Sequence, residues 1–378
     1  MHILEIPSFF TPLGGEFCLE QAKALKARGN EVRVISCNAL DVSLSIRRYL
    51  TSRYGVWEER TEGIDFLRCN IRSVPKNIPL NQRRWCKQVL RLYDIYKAKY
   101  GRPDILHAHC CLWAGVAARM ISEKEGIPYV ITEHLSKGTF KYFGPHWTKH
   151  LPLRQLLRDT YEHSDCVIPV TEELVGNLEE FFGRNYRYTV VPNMIDTAHF
   201  AYQPRQPRQG RPYRYCCLAI AWIHIKGYDV LREAFSKLTD CELHIAGSGT
   251  DDKQFQKLFE GCDNVVIHGK LSKAGVRDLL YSSDALVLAS RSEAQPLVIL
   301  EAMSTGIPVV TTDIIPRCQR IEGACLIAPV GDAGILRQKM IDVRSIVPSQ
   351  RIADAAREIC SPDIIAEKIE AVFRAALE

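Results

Sequence analysis

Two glutamates eight positions apart, Glu293 and Glu301, lie in the run DALVLASRSEAQPLVILEAMSTGIPVVTTD. That run reads as strand, loop, helix and strand, with Gly306 and Pro308 closing the helix. A helix start offers unpaired backbone N–H groups and the positive end of a dipole, so the loop before Leu297 is a ready site for a diphosphate. Glu301, about one turn into the same helix, can accept hydrogen bonds from two adjacent ribose hydroxyls, because an ionised carboxylate carries two acceptor oxygens. Acidic residues also gather at helix starts simply to complement the dipole, and spacing alone leaves both readings open.

His107 and His109, separated by Ala108, are the other chemically suggestive pair, but no third ligand lies near them in the sequence. A metal is not expected there. The 14 cysteines include the adjacent pairs Cys110-Cys111 and Cys216-Cys217 in apolar strings, and no Cys/His ladder has zinc spacing; they read as reduced core residues. Asp251-Asp252 follows a glycine turn and starts a polar helix, where capping accounts for it.

The elements that must position these residues alternate along 378 residues, a length that favours two domains. The first unit runs from a strand at Ile3 to Ile6, through the turn PLGG, to a helix carrying Cys18, Ala22 and Leu25, stopped by Gly29-Asn30, and into a strand from Glu31. Further strands are expected at Ile105 to Ala108, Tyr129 to Thr132, Cys166 to Val170 and Tyr188 to Val191. A second series (YRYCCLAIA, CELHIAG, NVVIHG, DALVLAS and PVVTTD) follows the Pro- and Arg-rich connection QPRQPRQGRP. The fold class is therefore α/β, two doubly wound domains in series with a ligand cleft expected between their strand ends. Pro362 to Leu377 has the period of an amphipathic helix.

The formal charge of +5 lies in the first half: residues 1 to 196 hold 27 Lys and Arg against 22 Asp and Glu, leaving 22 of each for the rest. The excess gathers at Arg47, Arg48 and Arg53, and in a helix with Arg83, Arg84, Lys87 and Arg91, where Trp85 is interleaved. A solvated face is the plain reading; an anionic membrane or a phosphorylated acceptor is the functional one. Nucleic acid would call for a stronger basic bias. With no apolar run approaching the roughly 20 residues of a membrane span, and Pro7 interrupting any signal segment, the expected location is the cytoplasm, with peripheral contact at the inner face of its membrane as the functional alternative.

The glutamate pair and its continuation EAMSTGIPVV resemble family 4 of the glycosyltransferases, which are retaining, metal-independent enzymes of the GT-B fold. The resemblance extends over nearly the whole chain. It implies that Glu293 contacts the transferred sugar and that Glu301 holds the nucleotide ribose. PLGGEFCLEQAKALKARGNEVRVIS is similar to the family's opening, which implies that Gly14 and Gly15 approach the donor phosphates, although a simple turn also explains a glycine pair. PDILHAHC is similar to the PDxxHxH segment and implies that His109 stands beside the donor sugar. VITEH resembles a stretch lining the acceptor side, which assigns Glu133 and His134 there.

VVPNMIDTAHF resembles the hinge, with Asn193 at the crossing, and implies domains 1–192 and 193–361, with the helix 362–378 returning to the N-terminal domain. LHIAGSGTDD and NVVIHGKLS resemble the loops around the nucleobase, which places Lys270 by the base. Lys226-Gly227 matches the family's phosphate-binding lysine. The family's usual arginine five positions earlier is replaced by Ala221, a loss of one charge-assisted bond worth about 1.5 to 3 kcal/mol, or roughly ten- to a hundredfold. His224 or Arg291 is the expected substitute. Gln295-Pro296 stand where Phe-Gly is frequent and, with Leu297, would tune sugar contacts.

The implied reaction is transfer of a hexosyl or N-acetylhexosaminyl group from a nucleotide diphosphate sugar to a hydroxyl of a carbohydrate or lipid-linked acceptor, in surface polysaccharide or glycolipid assembly. No cofactor or metal is implied. A nucleotide-sugar epimerase of the same architecture and a non-catalytic nucleotide-sugar-binding protein are the alternatives, the latter suggested by Ala221.

Overall fold

The computed structural model describes residues 1–10, 14–42, 45–135, 151–205 and 210–378, so part of the PLGG turn and part of the QPRQPRQGRP connection lie outside the described residues. The chain divides into two compact units, Met1–Met194 with Pro362–Glu378, and Ile195–Ser361.

In the N-terminal unit, β1 (His2–Pro7), β2 (Glu31–Leu40), β3 (Gly55–Thr61), β4 (Ile64–Arg72), β5 (Ile105–His109), β6 (Tyr129–Glu133) and β7 (Cys166–Pro169) form one sheet in the order β3-β4-β2-β1-β5-β6-β7. All neighbours are parallel except β3 against β4. The central strands read as near-continuous apolar runs because helices cover both faces. Those helices include α1 (Glu16–Ala27), α2 (Ile46–Thr51), α3 (Ile78–Tyr100), α4 (Val116–Glu125), α5 (Leu151–Glu162) and α6 (Glu172–Phe182). The α3 helix is capped by the Asn77 side chain on Leu80 N–H and buries Trp85, Val89, Leu92 and Tyr96, spaced along one helical stripe.

The hairpin β3–β4 is not in the sequence reading, because β3 is mostly exposed and charged and carries no apolar run. Its turn does leave a trace: Glu62 and Gly63 both have positive φ between the paired Thr61 and Ile64, the geometry of a two-residue primed turn. The strand expected at Tyr188 to Val191 is reduced to a single bridge between Val167 and Tyr188. It runs along the outer edge of β7, with Tyr188 exposed and Pro192 next in the chain, unable to donate to a ladder.

In the C-terminal unit, β8 (Tyr213–Leu218), β9 (Cys241–Ala246), β10 (Val265–Gly269), β11 (Ala285–Leu288), β12 (Val309–Thr312) and β13 (Cys325–Ala328) form an all-parallel sheet in the order β10-β9-β8-β11-β12-β13. Its helices are α7 (Tyr228–Phe235), α8 (Lys253–Gln256), α9 (Lys273–Ser282), α10 (Leu297–Ser304), α11 (Ala333–Asp342) and α12 (Gln350–Cys360). Both sheets therefore wind outward from a central pair, β1/β5 in one unit and β8/β11 in the other. At such a reversal the loops beyond the carboxyl strand ends diverge and leave a crevice for ligand.

The helix Pro362–Leu377 returns to the N-terminal unit and packs on α1 and β6. It buries Ile365, Ile369 and Phe373 beside Leu25, Ile105 and Val130. The Phe373 ring meets that of His107 edge-on at 5.0 Å. Among the described residues no helix is long and apolar enough to cross a membrane. All 14 cysteines are free; Cys318 is exposed, Cys262 and Cys325 are half-buried, and the rest are core residues.

Phe373→Ala should destabilise the N-terminal unit by about 3 to 5 kcal/mol, the usual cost of emptying a buried aromatic site. Urea unfolding followed by tryptophan fluorescence checks this, and a loss below about 1 kcal/mol would show that the helix is not part of that core.

Candidate active site

At the carboxyl edge of the N-terminal sheet, β1 and β5 run side by side with Glu5 paired to His107 and Pro7 to His109. Alternation along β5 puts both imidazoles on one face, and β1 supplies Glu5 to the same face. One oxygen of Glu5 lies 2.8 Å from His107 Nδ1 and 2.7 Å from His109 Nε2, and all three side chains are buried. His107 Nε2 bonds the Thr132 hydroxyl at 2.7 Å, and His109 Nδ1 lies 3.2 Å from His134 Nε2. Burial alone would raise the Glu5 carboxyl, but the two histidines outweigh it and hold the group at about 2. Burial, then the neighbouring His107, pushes His109 down to about 4 despite the Glu5 bond. Burial likewise holds His134 well below the ordinary imidazole value.

A lowered His109 beside an ionised carboxylate has its tautomer fixed. His109 donates from Nε2 to Glu5, so its Nδ1 accepts from His134 Nε2–H. His134 in turn stacks on Phe17 at 3.9 Å. Glu5, His107 and His109 are also the residue types of a metal site. Their separations, however, are those of hydrogen bonds; ligands about 2.0 to 2.1 Å from one tetrahedral ion stand about 3.3 Å apart. The arrangement fits a hydrogen-bonded cluster better than a metal centre.

The backbone just past His109 is strained. Cys110 and Trp113 have φ of 69° and 74°, conformations that L-residues seldom adopt. Ser8 braces the turn, donating to the His109 carbonyl at 2.8 Å and accepting from Ala114 N–H at 3.0 Å. Glu133 braces it from β6: its carboxylate accepts from Cys111 N–H, the Tyr161 hydroxyl, and the N–H groups of His134 and Leu135. Buried with four protein donors, Glu133 positions the turn rather than presenting itself to an acceptor.

Gly14 and Gly15 precede α1, both with positive φ. A Cβ on Gly15 would stand 2.4 Å from the Phe9 carbonyl oxygen, so close backbone approach by itself requires glycine there.

In the C-terminal unit the loops after β8 and β11 meet. Lys226 Nζ is 2.7 Å from Glu293 Oε1, which also accepts from the Ser290 hydroxyl at 2.6 Å, and little of either charged side chain is exposed. Two glycines permit this. A Cβ on Gly227 would lie 1.9 Å from the Ala289 carbonyl, and one on Gly247 would lie 1.9 Å from that of Ala219. Helix α10 starts at Leu297 with Pro296 as its N-cap and no capping side chain on its first turn. Gln295 is buried beside it, and Glu301 is half-buried one turn on. Lys270 is exposed immediately after β10, whose last residue, Gly269, accepts from Gly247 N–H.

Arg291, an expected stand-in for the arginine missing at Ala221, is already committed: it grips Asp229 with both Nη atoms at 2.7 Å and donates to the His224 carbonyl. It locks the loop to α7. Ala221 faces the Gly249 turn, where a Cβ would come within 3.3 Å of it, and bonds the Ser248 carbonyl. Asp252 occupies the N-cap of α8, as its place after the glycine turn suggests, but its side chain makes no capping bond.

A recess of about 820 Å³ opens at the amino ends of β8 and β11 and is lined by Arg205, Arg211, Arg214 and Arg344. These cations are consumed by Asp284, Glu242, Asp240 and the carbonyls ending α9.

Two family models match the chain: "Glycosyltransferase Family 4" over residues 14–199 and "Glycosyl transferases group 1" over residues 213–345. The chain belongs to the family 4 glycosyltransferases. It is 26% identical to a Bacillus subtilis (strain 168) protein named for teichuronic acid biosynthesis, the glycosyltransferase TuaC, over 82% of this chain and 79% of that one. Among solved structures it resembles sucrose-phosphate synthase from Thermosynechococcus elongatus, with a TM-score of 0.79 at 16% identity over 99% of this chain and 98% of the other. It also resembles Anabaena Alr3699/HepE in complex with UDP and glucose, with a TM-score of 0.73 at 15% identity over 99% and 100% of the two chains. At those identities the likeness establishes the fold, GT-B, as the residues suggested.

Glu5, Phe17 and Ser290 are the site residues that sequence reasoning missed. A lone carboxylate inside the apolar strand ILEI was the available signal for Glu5. Glu5→Gln should cost about 3 kcal/mol in the N-terminal unit, because it removes the buried charge to which His109 donates and beside which His107 packs. Acid should act in the same direction. Between about 6.5 and 4 the unfolded His109 binds a proton that the folded one refuses, so stability falls with pH through that window, and falls further from 4.5 to about 2 as Glu5 protonates. Urea midpoints at pH 7.5, 5.5 and 4.5 check this; a midpoint independent of pH would contradict the assignment.

Proposed function

We propose that this glycosyltransferase moves a hexosyl or N-acetylhexosaminyl group from a nucleotide diphosphate sugar to a hydroxyl acceptor with retention of configuration. The observation that carries the reading is the Lys226–Glu293–Ser290 cluster beside the uncapped start of α10. The lysine and the α10 amides supply positive charge where a departing diphosphate needs it, in a position fixed before substrate arrives. Entry of the diphosphate draws Lys226 from Glu293, freeing the carboxylate for a sugar hydroxyl; Glu301 takes the ribose and Lys270 the base edge. Gln295, Pro296 and Leu297 shape the sugar pocket, and Gly14 and Gly15 let backbone approach the phosphates. In the donor complex His109, held at Nε2 by Glu5, gives up its Nδ1 bond to His134 and accepts there from a hydroxyl of the transferred sugar, while His134 and Phe17 form a platform on the acceptor side.

No side chain is needed as nucleophile: the leaving phosphate takes the acceptor proton while the protein aligns the reactants. Positive charge from Lys226 and the helix start makes a metal unnecessary. That HepE was solved with UDP and glucose, and that TuaC is named for a wall polymer, support a nucleotide sugar as donor and a carbohydrate or lipid-linked acceptor in surface polymer or glycolipid assembly. We place this work in the cytoplasm, at the inner face of its membrane.

A panel of nucleotide sugars assayed for slow hydrolysis or transfer tests the reading. Lys226→Ala should lower kcat/KM about 10²- to 10³-fold. Glu301→Ala should raise the donor KM about tenfold or more with a smaller effect on kcat. Chelator should leave turnover unchanged. Undiminished turnover in both variants would sink the site, and loss of activity in chelator, restored by a divalent ion, would sink the metal-free mechanism.

A further inference from the structure

Helix α2 buries none of its own residues. Ile46 and Leu50, one turn apart on the same face, are 59% and 64% exposed, a large aliphatic area for a helix with no core to join. Arg47 and Arg48 lie between them and Arg53 follows; among the described residues none of the three is in an ion pair. Aromatic rings complete the patch. Arg72 lies over Tyr49 and Tyr54, and Arg53 over Trp57, while Val56 and Leu80 are also partly exposed.

This patch has a definite place on the sheet. α2 follows β2, α3 follows β4, and the ends of these parallel strands are paired, Leu40 with Arg72. β3 runs antiparallel and starts there too, with Gly55 opposite Asn70, whose side chain holds the Arg53 carbonyl. All of it therefore stands on the carboxyl edge, the edge on which β5 ends at His109. Three strand spacings separate β4 from β5, about 14 Å.

We propose that α2, with Arg53 and the first turn of α3, seats the N-terminal unit on an anionic bilayer surface. Ile46 and Leu50 enter the interfacial layer, Arg47, Arg48 and Arg53 meet phosphate headgroups, and the tyrosines and Trp57 lie at headgroup depth. Aliphatic anchors ringed by aromatic rings and by arginines that form no ion pair among the described residues match the chemistry of an anionic lipid surface; a protein groove would call for apolar area with less charge around it. The α3 stripe singled out in the sequence is corrected in one respect: Trp85 is buried, donating to the Cys37 carbonyl, and faces no membrane. The biological use rests on the lipid-linked acceptor proposed above. A headgroup sugar held within about 14 Å of the surface patch would reach His109 while its apolar tail stays in the bilayer.

Co-sedimentation of the full chain with phosphatidylcholine vesicles, with and without 30 mol% phosphatidylglycerol (about a third, as an anionic surface), tests the proposal. The wild type should bind the anionic vesicles and leave the neutral ones. Ile46→Asn with Leu50→Asn should weaken that binding about tenfold or more, and Arg47→Gln with Arg48→Gln about thirtyfold, with a flatter salt dependence. Neither pair belongs to the donor machinery, so donor hydrolysis without vesicles should match the wild type, which also controls for folding. Failure of the wild type to bind anionic vesicles, or full binding by the Asn pair, overturns the proposal. Vesicle binding without any donor turnover would instead count against the transferase site and leave the docking surface standing.

Discussion

Everything functional in this chain depends on where a parallel sheet reverses its winding. In the N-terminal unit the reversal is at β1/β5, and in the C-terminal unit at β8/β11. Parallel strands deliver all their carboxyl ends to one edge, and at the reversal two neighbouring loops turn away from each other. Gly14, Gly15, Glu5 and His109 belong to the first of these points; Lys226, Glu293 and α10 belong to the second. The residues with chemistry thus come from strands adjacent in space and far apart in sequence, Glu5 from His109 by over 100 positions and Lys226 from Glu293 by 67.

The two points are organised by different electrostatics. In the N-terminal unit two histidines beside a fully buried carboxylate hold it ionised, while burial keeps His109 and His134 low in spite of it, which commits the ring nitrogens of His109 and His134 to single roles. Strain at Cys110 and Trp113 is held there by Ser8 and Glu133, so the turn after His109 is fixed by its surroundings rather than by its own preference. In the C-terminal unit the carboxylate of Glu293 is paired with a true cation, the one for which the proposed diphosphate would compete. One cluster is a hydrogen-bonded support and the other an ion pair.

Much of this was legible in the residues. The order of strands and helices, the α10 start at Leu297 and the C-terminal helix from Pro362 follow from period and turn chemistry, because local signals determine them. Family 4 was legible from EAMSTGIPVV, PDILHAHC and the residues flanking them, motifs that carry their own chemistry. Partnerships across strands were not legible. Nothing local to HAH announces Glu5, and nothing in RSEAQP says that Arg291 is spent on Asp229 rather than on phosphate. Exposure was equally hidden: Trp85 looked like part of a basic surface, yet it lies in the core, while nothing in the residues marked Ile46 and Leu50 as bare. The missed strand β3 has the same origin, since an edge strand with charged outer positions lacks the apolar run that marks its neighbours.

The central claim is that Lys226 and the start of α10 form a diphosphate site. A crystal structure of this chain with a nucleoside diphosphate, UDP or GDP, tests it most directly. The account predicts the diphosphate within about 3 Å of Lys226 Nζ and of the first backbone N–H groups of α10, with the bond from Lys226 to Glu293 broken. A nucleotide seated elsewhere, for instance in the arginine-lined recess at the amino ends of β8 and β11, with Lys226 still on Glu293, would contradict it.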